Sequence, residues 1–83
     1  MSNDELKAVV LQAIGEIAPE ADLDQLDPNV DVREQLDIDS MDSLNIMIAI
    51  HEATGVEIPE ADYPLMNTVN ASVAYLAKKL AAT

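Results

Sequence analysis

Cysteine is missing from the 83-residue chain, as are tryptophan and phenylalanine, and two tyrosines are its only aromatic residues. Without cysteine there is no disulfide framework, no thiolate metal site and no cysteine nucleophile, a composition suited to a reducing compartment. Thiol chemistry here would need a borrowed sulfur. Basic residues are also scarce: four stand against sixteen acidic ones, a formal net charge of −12 at pH 7. Such a chain repels nucleic acid and anionic membranes and favours basic protein surfaces. Met1-Ser2-Asn3-Asp4-Glu5 lacks the basic and apolar regions of a signal peptide, and no apolar run approaches the roughly 18 residues of a membrane span. With two glycines and no assembled triad or metal cluster, independent catalysis has little to build on. The expectation is a cytoplasmic, monomeric, non-enzymatic protein without a metal site, nucleic-acid partner or membrane insertion.

What is present is 49% hydrophobic content with helical periodicity, which favours folding over disorder. The length suits a single domain, 1–83, with a thin core. Leu6, Val9, Val10, Ala13, Ile14 and Ile17 form one helical face. Ser2 and Glu5 have capping-box spacing, so this helix starts near Asn3; Gly15 weakens its last turn and Pro19 follows. From Pro19 to Asp39 no period holds, but Leu23, Leu26, Val30, Val32, Leu36 and Ile38 can anchor a long loop, with a helical turn expected at Arg33–Leu36. A second helix begins at Asp39 or Ser40 and runs to Thr54, stopped by Gly55. After the extended Ile58-Pro59 step, Glu60–Tyr63 suits one short turn interrupted by Pro64. Asn67 or Thr68 then caps a last helix that buries Val69, Val73, Leu76, Ala77 and Leu80. The fold class is all-α: a small four-helix bundle of three main helices and one short one, with a long first loop.

On the second helix, at about 100° per residue, Ile46, Met47 and Ile50 share one side while Met41, Leu44 and Ile48 line the other. One stripe suffices for a core. The second is either covered by a neighbouring element or is a docking row, rimmed by Asp42, Asn45 and Glu52, that steers a basic partner. Ser43 falls on the core side. Ser40 sits at the helix start, where unpaired N–H groups and the positive end of the dipole tolerate an attached phosphate, so it is the better attachment point.

From Leu6 to Leu80 the chain resembles the acyl carrier protein family. The resemblance is carried by Asp39-Ser40-Met41 at a helix start, by Ile58-Pro59 after that helix, and by Thr68-Val69 followed by Tyr75-Leu76 in the last one. It implies that Ser40 receives 4′-phosphopantetheine from coenzyme A through a separate phosphopantetheinyl transferase. The terminal thiol of the arm then carries acyl intermediates to loading, acyl-transfer or condensing enzymes with basic docking surfaces, in fatty acid or related lipid and polyketide synthesis. The same resemblance makes Asp39, Met41, Asp42, Leu44, Ile48 and Glu52 the partner-facing residues, and Ile46, Ile50, Ile58, Val73 and Leu76 candidates for an acyl pocket. Departures from the common fatty-acid pattern at Asp37, Met41, Asn45, His51 and Thr54 imply a less acidic docking surface and a specialised carrier.

Alternatives remain at this level. A calcium-binding loop fails on spacing: counted from Asp27, Val32 and Ile38 fall where glycine and glutamate are required, and counted from Asp37, Asp42 and Ile48 do. His51, the one histidine, is given no role. A non-enzymatic helical adaptor in which Ser40 merely caps the helix is a competitor. So is a peptidyl or D-alanyl carrier.

Overall fold

The computed structural model describes residues 1–82. Four α-helical segments follow one another: α1 (Asn3–Ile17), α2 (Val32–Gln35), α3 (Ser40–Thr54) and α4 (Val69–Ala81). Two 3-10 segments, Leu23–Gln25 and Glu60–Met66, complete the all-helical order. Helix α1 opens as its sequence requires. Ser2 Oγ accepts the Glu5 N–H, and Glu5 Oε1 accepts the Ser2 N–H at 3.0 Å. The Ser2 hydrogen bonds, backbone first and then side chain, hold the Glu5 carboxyl below its ordinary value.

Helix α1 packs against both α3 and α4, while Glu60–Met66 packs against α4. The core they enclose draws Leu6, Val10, Ala13 and Ile14 from α1, Val32 from α2, Ile46, Met47 and Ile50 from α3, and Val69 and Leu76 from α4, with Val56 from the segment after α3 and Met66 from the second 3-10 segment. Val73, Ala77 and Leu80 are half-buried against it rather than inside it. Burying these aliphatic side chains is the main force on the fold, about 1.5–3 kcal/mol for each fully buried one.

The long first connection departs from expectation in three ways. Its helical turn spans Val32–Gln35, one residue earlier than Arg33–Leu36, because the Asp31 carboxylate accepts the Arg33 N–H at 2.8 Å and so fixes the start. A further 3-10 turn forms at Leu23–Gln25 under an Asp22 cap. Its Leu23 side chain rests on Gly15, where a Cβ would come within 3.2 Å of Leu23 Cδ1. Gly15 therefore admits the loop rather than only loosening the helix. Val30, finally, is exposed and anchors nothing. That stretch is held instead by Gln35, whose side chain accepts from Asp27 N and donates to the carbonyls of Asp27 and Val30. The loop is tied to the far end of the chain by Val32 N to Asn67 O, Asn70 N to Pro28 O, and Asn70 Nδ2 to Asn29 Oδ1 at 2.7 Å.

Pro64 does not interrupt the second 3-10 segment, which continues to Met66. Proline removes only one donor there. Buried Met66 and half-buried Tyr63 keep the segment against the core, and Tyr75 of α4 donates its hydroxyl to Asp62 Oδ2 at 2.6 Å. Partial burial first, then that hydrogen bond and the charge of Asp62, push the Tyr75 phenol up to about 12.

Candidate functional site

The loop-to-helix junction ahead of α3 is built by aspartates. Asp39 takes extended backbone geometry and its Oδ1 accepts the Asp42 N–H at 2.9 Å, while Asp42 Oδ2 accepts the Asp39 N–H at 3.4 Å. This reciprocal box satisfies backbone donors that a helix start otherwise leaves open. Asp39, and not Ser40, is therefore the cap. The adaptor reading loses its account of Ser40, since the hydroxyl is not needed to start the helix. Ser40 is the first helical residue and is exposed. Fourteen further helical residues follow it to Thr54, so the dipole of a full-length helix is directed at the position beside its hydroxyl.

Behind Ser40 opens a cavity of ≈ 630 Å³, within the usual range for ligand pockets of about 300–1,000 Å³. Its lining is mainly apolar, with Val10, Ile14, Ile46, Ile50 and Met66 among its buried walls, and Ser40, Ser43 and Met41 also reach it. Of the five pocket candidates, Ile46 and Ile50 line this space, whereas Ile58, Val73 and Leu76 do not. The reason is tertiary. Leu76 is fully buried in the core and Val73 packs against it, while Ile58 borders a separate depression. The walls that the sequence did not offer, Val32, Ile38, Tyr63 and Met66, come from α2, the loop after it and the second 3-10 segment. Their spacing has no period that marks them.

The outer face of α3 carries the other stripe. Met41, Leu44 and Ile48 are 63%, 38% and 45% exposed, so among the described residues no element buries this stripe. Glu52 is exposed beside them, as is Asp39. Asp42 is half-buried and engaged in the cap, so its first role is structural. Leu65, 57% exposed on the 3-10 segment, adds an apolar residue to the exposed surface that sequence periodicity did not single out. At the far end of α3, Gly55 takes the left-handed conformation at φ 74° and donates to His51 O. His51 Nδ1 lies 2.7 Å from Val56 O, a contact that a lone histidine in sequence does not announce.

Residues 7–76 match the family described as "Phosphopantetheine attachment site". The acyl carrier protein of Rubrobacter xylanophilus is 33% identical over 70 residues, covering 81% of this chain and 86% of that protein. That of Syntrophobacter fumaroxidans is 32% identical over 80 residues, covering 94% and 99%. Among solved structures, the acyl carrier protein from Enterococcus faecalis shares the fold with a TM-score of 0.74 at 21% identity, over 95% of this chain and 99% of that one.

Proposed function

The chain belongs to the acyl carrier protein family, whose shared domain is the phosphopantetheine attachment site, and on that premise we propose that Ser40 is the residue that bears the 4′-phosphopantetheine arm. The observation that carries this reading is the division of labour at the α3 start: Asp39 does the capping, and Ser40 stands exposed at the mouth of the cavity. The site fits the group. A phosphodiester on Ser40 Oγ would lie at the positive end of a long helix, with backbone N–H groups nearby. When bound, the arm supplies a terminal thiol that holds acyl groups as thioesters, which a chain without cysteine cannot supply itself. Ser40 contributes the oxygen nucleophile for loading, and a separate transferase contributes the base and the metal.

The remaining residues position and present. Met41, Leu44 and Ile48 offer apolar contact to partner enzymes, and Asp39, Asp42 and Glu52 supply the charge that orients a basic surface toward them. Ile46 and Ile50, with Val10, Ile14 and Met66, wall a space that can shelter an apolar acyl chain from water. The protein works as a monomer in the cytoplasm, delivering cargo to the enzymes of fatty acid or related lipid and polyketide synthesis. The changes along α3 suit a dedicated rather than a general pathway.

The test is intact-mass analysis after incubation with coenzyme A and a broad phosphopantetheinyl transferase. One phosphopantetheinyl adduct is expected on the wild type and on Ser43→Ala, and none on Ser40→Ala. An adduct that survives Ser40→Ala, or none on the wild type with several transferases, overturns the assignment.

A further inference from the structure

Among the described residues, Ser72 of α4 is the one buried polar residue, 3% exposed. It holds a core phase of its helix, in series with buried Val69 and Leu76 at i, i+3 and i+7. A hydroxyl at such a position must find a partner. Part of its role is structural: Ser72 Oγ donates to Met66 O, at the end of the second 3-10 segment, at 3.1 Å. Ser72 also lines the cavity of ≈ 630 Å³ behind Ser40, among walls such as Val10, Ile14 and Ile50 whose side chains offer no hydrogen bond.

A carbonyl oxygen only accepts, so the bond to Met66 commits the Ser72 proton. What is left for a ligand is an acceptor, the lone pairs of the hydroxyl oxygen. We infer that the cavity selects an acyl chain bearing a hydroxyl group, whose O–H donates to Ser72 Oγ, over one bearing an oxo group at the same carbon. The inference rests on the carrier reading and gives it a cargo class. A saturated chain gains only from the apolar walls. An oxo chain brings a second acceptor, which Ser72 cannot serve while its proton is held by Met66. A hydroxylated chain packs its methylenes on the same walls and pairs the one polar group that burial would otherwise leave unsatisfied. Ser43 of α3 also lines the cavity and is half-buried. Its hydroxyl both donates and accepts, so it serves either polar chain and does not separate them. The discrimination belongs to Ser72.

The experiment loads Ser40 of the full chain with pantetheine arms that carry an octanoyl chain through a stable amide. The chain is saturated, or bears a hydroxyl or an oxo group at the third, fifth or seventh carbon, and intact mass verifies each load. Cargo held only by the folded state stabilises it, so denaturant titration gives a folded-to-unfolded constant for every cargo in the wild type and in Ser72→Ala. Because Ser72→Ala also loses the Met66 bond, only the ratio between cargos within one chain is read, as in a double-mutant cycle. The hydroxyl-to-saturated ratio should fall roughly two- to tenfold in Ser72→Ala, the worth of one neutral hydrogen bond, for at least one hydroxyl position. The oxo-to-saturated ratio at that position should hold. If alanine prevents folding, Ser72→Cys, with nearly the same shape and a poor acceptor, should give the same fall. A hydroxyl ratio unchanged at every position overturns the proposal and leaves Ser72 an anchor for Met66 alone. An equal fall for the oxo chains also overturns it, because acceptance by Ser72 would then not be the cause. Failure of Ser40 to load in the wild type would instead defeat the carrier reading, so the two failures are distinguishable.

Discussion

Replacing Asp39 separates capping from charge at the start of α3. Its Oδ1 accepts the Asp42 N–H at 2.9 Å, so Asp39→Ala leaves that donor to water and should destabilise the protein by about 1 kcal/mol, within a range of roughly 0.5–2. For a domain of this size that is a fall in Tm of about 4–8 °C. Asp39→Asn keeps an oxygen acceptor of equal capping quality. It gives up about 0.3–1 kcal/mol of attraction to the helix dipole. It also relieves repulsion from Asp42, about 0.8 kcal/mol for like charges roughly 5 Å apart in water. These terms nearly cancel, so Asn should melt close to the wild type and Ala clearly below it. Thermal unfolding followed by far-UV circular dichroism reads the difference. Transferase loading should slow in both variants, because both lose a docking charge. If Asn is destabilised as much as Ala, charge and not acceptor geometry holds the helix start. If neither is, another group serves as the cap.

Other consequences follow from burial and charge. Tyr75 has its phenol raised from 10 to about 12 in the folded state, so its contribution is complete below the unfolded value and is lost as pH rises through the folded one. Alkaline unfolding curves should show this loss between those values in the wild type and lack it in Tyr75→Phe. Ile50, 1% exposed, should cost about 2–5 kcal/mol when cut to alanine. Ile48, 45% exposed, should cost no more than about 0.5 kcal/mol in denaturant titration, while Ile48→Ala slows transfer to partner enzymes. With a net charge of −12, added salt or divalent cations should raise Tm by screening or binding; a Tm insensitive to both refutes that reasoning.

The sequence determined what depends on neighbours along the chain. Helix periods, the Ser2–Glu5 box, the Gly55 stop and the phase that separates Ser40 from Ser43 are local relations, and local relations survive without a fold. The outer stripe of Met41, Leu44 and Ile48 was legible for the same reason, although only the structure shows that it stays exposed among the described residues. The choice between Asp39 and Ser40 as cap, equally plausible on paper, is also local, and the structure gives it to Asp39 through its reciprocal bonds with Asp42, releasing Ser40. Tertiary structure decided the rest. Gln35 became the clasp of the first loop through contacts with Asp27 and Val30. The cavity took Val32 from the short α2, Ile38 from the first loop and Tyr63 and Met66 from the second 3-10 segment, and left Val73 and Leu76 outside it. A pocket wall is assembled from whichever segments meet in space, and no periodicity along the chain encodes that meeting.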